Sequence, residues 1–194
     1  NGVRAVLARE PDVFFHYLVE AREEVVEQGN PRQAKRARQI LTARPEDLAG
    51  LRALGDEELR RVRFKAYHKW DNTIRTLQSV EAGTGRIEFE GPGMKSWNPL
   101  RKDTGYVLEN YRAAMDEPGE WFLAADGRVF YRAREGEDLS RAEVVAPVAE
   151  RFVVLQGDAA AGRFVEHLRF QGLVFRHSQW LLPGSGFEPA QAAS

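Results

Sequence analysis

The side chains with the most chemistry to offer fall into a few short runs. His68-Lys69-Trp70-Asp71 puts an imidazole, an indole and a carboxylate within four residues. An indole face suits the flat C–H face of a sugar ring, and His and Asp hydrogen-bond hydroxyls. The ordinary alternative is that Trp70 anchors a core and His68 is a satisfied, half-buried polar group. Trp97-Asn98 lies in a stretch that follows Gly91-Pro92-Gly93, and loops carry function more often than strands do. Packing over a sheet edge is the competing use of Trp97. Tyr106, Glu109 and Asn110 form a further polar group, for which an internal hydrogen-bond network is the simpler role. His177 and Trp180 close the last apolar-patterned stretch, where they face a ligand groove or cap the fold.

Hydrolysis by paired carboxyl groups needs the pair about 5 Å apart, or roughly 6.5–9.5 Å apart for the inverting geometry. Asp71, Asp103, Glu109, Asp116, Glu117 and Glu120 are available, but spacing alone brings no two of them together. The run Asp116-Glu117-Pro118-Gly119-Glu120 reads as turn chemistry, since Asp and Pro-Gly favour turns for backbone reasons. No catalytic residue is assigned. The four histidines, at 16, 68, 167 and 177, show no metal-ligand spacing, so neither a metal nor another cofactor is expected. With no cysteine there is no disulfide and no thiol nucleophile. A phosphate loop and a Gly-x-Ser-x-Gly elbow are also missing.

The elements that position these residues follow from periodicity. Phe14, Phe15, Leu18, Val19, Ala21, Val25 and Val26 recur at helix-like spacing. Asn30-Pro31 resembles a helix start, and the basic run Arg32 to Arg44 resembles a solvated helix face. Leu48, Leu51 and Leu54 suggest a third helix, so residues 13–62 are predicted to be helical. From Val62 the period becomes two: Val62, Phe64, Ala66, His68 and Trp70 alternate with polar residues, which predicts a strand. Residues 74–80 and 86–90 flank Ala82-Gly83-Thr84-Gly85 as a hairpin. Asp126-Gly127 between Trp121-Phe122-Leu123 and Val129-Phe130-Tyr131 is the strongest short hairpin signal, because it supplies positive φ. Residues 143–148 and 151–155 predict two more strands, and 168–170 and 173–177 two very short ones.

Length and charge bound the rest. At 194 residues the chain is long enough for one ordinary domain, or for a domain and a small appendage. The formal net charge is −1 with mixed signs throughout, so no nucleic-acid partner is expected. No apolar run approaches the roughly 20 residues of a membrane span. The first residue is not Met and the last ones end no element, so both ends read as cuts within a longer chain.

Several segments together resemble a family: GPGMKSWNP (91–99), YVLENYRAAMDEPGEWFLAADGRVFY (106–131), EVVAPV (143–148) and GLVFRHSQW (172–180), with YHKWDNT (67–73) and NGVRAVLAREP (1–11). They resemble secreted right-handed parallel β-helix proteins of the pectin-lyase-like type, and glycoside hydrolase family 141 in particular. The resemblance implies a mainly β chain. An accessory β-sandwich (1–12 and 63–150) with a helical insertion (13–62) leads into the first coils of a parallel β-helix (151–194). It implies an accessory, structural segment of a secreted or cell-surface glycoside hydrolase acting on plant or microbial polysaccharide. Its partners are then carbohydrate and the remainder of its own β-helix chain, and its catalytic acids lie on later coils. A polysaccharide lyase on the same scaffold, or a non-catalytic carbohydrate-binding surface protein, is the alternative. His68, Trp70, Trp97, Asn98, Tyr106, Asn110, His177 and Trp180 are the candidate substrate contacts.

Overall fold

Alternation of buried and half-exposed side chains runs through Arg63–Tyr67, Asn72–Thr76, Arg86–Gly91 and Glu120–Leu123 in the computed structural model, which describes residues 3–188. In chain order the strands are β1 (Val6–Leu7), β2 (Arg9–Glu10), β3 (His16–Tyr17), β4 (Glu20–Glu27), β5 (Arg36–Thr42), β6 (Arg63–Tyr67), β7 (Asn72–Thr76), β8 (Ser79–Glu81), β9 (Arg86–Gly91), β10 (Gly105–Glu109), β11 (Glu120–Leu123) and β12 (Val129–Tyr131). One sheet has the order β2-β10-β6-β7, with β3 also on β10; a second has the order β4-β5-β9-β8; a third has β1-β11-β12. The chain is therefore mainly β. Phe64 of the first sheet meets Phe89 of the second at 5.5 Å between ring centroids and stacks on Tyr106 at 5.1 Å. Leu41, Ile87, Leu108 and Leu48 complete this core.

The expected helices over 13–62 are corrected by the structure. Apart from a 3-10 turn at Pro45–Leu51 and a single α-turn at Asp56–Leu59, this stretch supplies β3, β4 and β5. The sequence EAREEVVE of β4 has helical composition, but helix propensity is a weak prior that tertiary pairing overrides. Antiparallel pairing with β5, and of β5 with β9, is what holds it extended. As the edge of its sheet, β4 can carry Glu20, Glu24 and Glu27 toward solvent, and such charge protects an open edge from further pairing. Asn30 does cap backbone amides, but in a tight turn: its Oδ1 accepts from Arg32 N at 2.8 Å and Gln33 N at 3.1 Å. The basic run after it is not a helix face but the β4–β5 loop and β5.

Both predicted hairpin turns form, but the strand expected over 74–80 is divided: Asn72–Thr76 pairs with β6 in the first sheet and Ser79–Glu81 with β9 in the second. β8 and β9 pair across residues 82–85, and β11 and β12 pair across Asp126-Gly127, where Gly127 has φ 85°. The strand that starts after Val62 stops at Tyr67, earlier than its alternation suggested, because the chain turns back through His68–Asp71.

Packing divides the described residues into two units. The first comprises the residues up to Asp138 together with those from Pro183, and contains all three sheets. The second is Leu139–Leu182. The strands expected at 143–148, 151–155, 168–170 and 173–177 are not formed there. The unit has instead one parallel bridge, Ala149 to Ser178, one turn bridge, Asp158 to Arg163, and a short 3-10 turn at Ala159–Ala161. A parallel bridge between distant segments fixes their direction but leaves the flanking backbone without a ladder. The expected first coils, 151–194, run past Glu188 and so lie partly outside the described residues.

Candidate functional site

The turn between β6 and β7 gathers buried charge. His68 N donates to Asp71 O at 2.9 Å, which closes the turn and carries both side chains off the strand. Asp71 accepts from Lys95 Nζ at 2.5 Å and from Asn98 Nδ2 at 3.0 Å. Lys95 also faces Glu188 at 3.4 Å, and Glu188 accepts from Arg75 at 2.9 Å and Thr73 at 2.8 Å. Thr73 Oγ1 lies 2.7 Å from His68 Nε2. The single hydroxyl proton of Thr73 goes to the carboxylate, so His68 Nε2 carries a proton and donates to Thr73. Burial pushes the His68 imidazole below its ordinary pKa, against the pull of Glu188 and Asp71, which favours this neutral form.

The cluster works as a clasp. Ile74 and Phe187 exchange backbone hydrogen bonds of 2.9 and 2.8 Å, and the ions beside them hold Glu188 against β7. Asp71 and Glu188 share one ammonium, yet both are occupied by donors and largely shielded from solvent. They offer no open acid–base pair for hydrolysis.

Beside the clasp lies an open groove. Residues 28–34 of the β4–β5 loop form one wall and residues 94–96 the other, enclosing about 440 Å³. An adjoining recess of about 340 Å³ is lined by Asn30, Pro31, Arg32, Gln33 and Trp97. The walls are tied together. Gln33 Nε2 donates to Gly93 O at 2.7 Å, Gly93 N to Ala34 O at 3.0 Å, and Ser96 N to Arg32 O at 3.0 Å. Glu23 Oε2 accepts from Met94 N at 2.5 Å and Gln39 Nε2 at 2.9 Å. Gly93 allows the close approach, since a Cβ there would lie 2.7 Å from Ala34 Cβ.

The expected contact residues do not converge on one site. His68 and Asn98 join the clasp. Trp70 is 55% exposed at the hairpin turn, so it does not anchor the core. Trp97, 37% exposed, borders the groove. Tyr106 is fully buried and donates to Asp47 at 3.2 Å; burial and that carboxylate push its phenol far above the ordinary range. Asn110 is buried with φ 69° and bonds Arg61 O, Leu123 O and Leu123 N, so it organises backbone. His177 and Trp180 are exposed and belong to the second unit.

Comparison with known proteins adds one positive result. No protein-family model matches the sequence, and no curated protein does. A solved chain named "Glycoside hydrolase" aligns with 97% of this chain at TM-score 0.70 and 24% identity. This chain has a glycoside hydrolase-like fold. The alignment uses 32% of the solved chain, so the present chain spans about a third of that hydrolase's length.

Within this hydrolase-like fold a second acidic cluster forms that the sequence did not reveal. Asp12, Asp116 and Glu120 bring carboxylate oxygens within 4.8 Å of one another. Glu120 spends Oε2 on the amides of Asp116 and Glu117, at 3.1 Å each, which bears out the turn reading of this run. Burial, then the charges of Asp116, Glu120 and Glu117, push the Asp12 carboxyl up to about 6, with Arg9 opposing. A carboxyl that holds its proton more tightly when folded loses stability as pH rises through its folded pKa. The Asp12→Asn variant should therefore melt higher than the parent at pH 7, and the difference should shrink as pH falls toward 4. Thermal melts at the two pH values check this, and a gap that does not narrow contradicts it.

Proposed function

We propose that this chain is an accessory, structural segment of an extracytoplasmic glycoside hydrolase acting on plant or microbial polysaccharide. In this reading the sandwich of residues up to 12 and 63–138, extended by the strands of 13–62, leads into the first coils of a right-handed parallel β-helix, which take up residues 139–182. The catalytic carboxylates are carried by coils outside these residues. The carbohydrate assignment rests on the name of the structural neighbour, and fold alone does not fix chemistry.

One observation carries the reading: the apolar side chains of Leu139–Leu182 have almost no interior. Val148 is 82% exposed, Val174 71% and Phe164 66%, and Phe152, Phe175 and Leu181 are about half exposed. A β-helix coil has this property, because it buries its apolar positions only against neighbouring coils. The parallel bridge of Ala149 to Ser178, the bond from Gln179 N to Ala149 O at 3.0 Å and the Phe152–Phe175 ring contact at 5.7 Å suit the stacking of one turn on another.

The test incubates the 194-residue chain, and separately the longer protein that carries it, with a panel of plant cell-wall polysaccharides, and measures released reducing ends. Release by the longer protein alone is expected. Release by the 194-residue chain would overturn the placement of the acids. No release by either, or products with unsaturated sugar ends, would overturn the hydrolase assignment.

A further inference from the structure

We propose that the groove beside Trp97 is a non-catalytic subsite for uncharged sugar residues of a glycan. The proposal rests on the carbohydrate-active reading above and assigns it a second place of contact. The argument is an inventory of what the groove leaves unused. Asn30 spends its Oδ1 on two backbone amides, which leaves its Nδ2 without a partner among the described residues. Gln33 spends its Nε2 on Gly93 O, which leaves its Oε1. Gln28 and the Arg32 guanidinium make no hydrogen bond among the described residues, and all four residues line the groove. These are donors and acceptors side by side, the complement of hydroxyl groups that both give and accept.

The apolar component is Trp97, which borders the same space as Asn30, Arg32 and Gln33 and keeps more than a third of its surface open. An indole face and a set of amides are what a pyranose ring requires, one for its C–H face and the other for its hydroxyls. Charge does not dominate. Glu23 has one oxygen bound by two donors, and Lys95 is held by Asp71. Arg32 and Glu23 carry opposite charges that no ion pair matches among the described residues, and Arg32, in solvent, is as compatible with hydroxyls as with an anion. The walls are braced before any ligand arrives, by the cross-groove bonds of Gln33 and Ser96 and by the clasp under Asn98. Bracing of this kind reduces the ordering cost of binding.

Affinity gel electrophoresis of the 194-residue chain tests the proposal, with gels containing a mixed-linkage β-glucan, a xylan, a galactomannan or polygalacturonate. At least one neutral glycan should retard the chain. Trp97→Ala should weaken that retardation roughly tenfold or more, while Trp97→Phe keeps most of it and both variants melt as the parent does. Retardation by polygalacturonate alone, by none of the four, or to the same extent in Trp97→Ala overturns the subsite. The outcome separates from that of the parent reading. Sugar release by the longer protein without Trp97-dependent retardation rejects only the subsite, whereas retardation without release rejects only the hydrolase assignment.

Discussion

Replacing Lys95 by methionine should lower the stability of the sheet-bearing unit by about 3–5 kcal/mol. Methionine nearly matches the lysine stem in volume, so the loss comes from charge and not from a cavity. Lys95 is 1% exposed and is the cation on Asp71, whose other donor is the neutral Asn98 amide. Removing it leaves Asp71 buried without a counter-ion, and leaves Glu188 with Arg75 alone. Breaking one side of a buried pair costs more than the pair ever contributed, because the remaining charge stays desolvated. Adding Asp71→Asn to Lys95→Met should restore a large part of the loss, since it removes the stranded charge and keeps a hydrogen-bonding group. Urea unfolding of the three proteins reads this directly. A cost below about 1 kcal/mol for Lys95→Met would place these ions in the solvent-screened class.

The second large effect concerns Leu139–Leu182. Under the proposal above, following coils cover the apolar faces of Val153, Leu155, Leu173 and Phe175, which the 194-residue chain leaves about half exposed. Fully burying one such side chain is worth about 1.5–3 kcal/mol, so covering even a few of them outweighs most single interactions in the molecule. Ladder hydrogen bonds would come with it, because this unit has a bridge where a coil has strands. Backbone amides in 143–181 should therefore exchange at least about a thousandfold more slowly in the longer protein than in the 194-residue chain. The change should spare β6 and β10, whose ladders are complete without it.

What could be read in the sequence follows the range of the interactions involved. β6 was legible because Phe64 and Ala66 alternate strictly with Lys65 and Tyr67, and the alternation has one buried face to satisfy. The β11–β12 hairpin was legible because Asp126-Gly127 determines its own backbone. β4 was not, since its Glu and Ala residues favour a helix locally and only β5 and β9 make it a strand. Trp70 looked like a core residue because the alternation was continued three residues past Tyr67, where the backbone had already turned. The clasp was half visible. His68 and Asp71 stood out as a polar run, but Lys95 lies 24 positions from Asp71, and Arg75 lies 113 from Glu188. No local signal marks such partners. Trp97, an aromatic in a Gly/Pro-bounded loop, borders the groove, whereas its neighbour Asn98 turns inward to hold Asp71.

Hydrogen–deuterium exchange with peptide-level mass spectrometry, run in parallel on the 194-residue chain and on the longer protein, tests most directly whether residues 139–182 are the uncovered beginning of a solenoid. Peptides spanning 143–181 are predicted to exchange within seconds in the short chain and to be strongly protected in the long one. Equal exchange of those peptides in both proteins would mean that nothing stacks on this surface, and the assignment of these residues to a β-helix would be wrong.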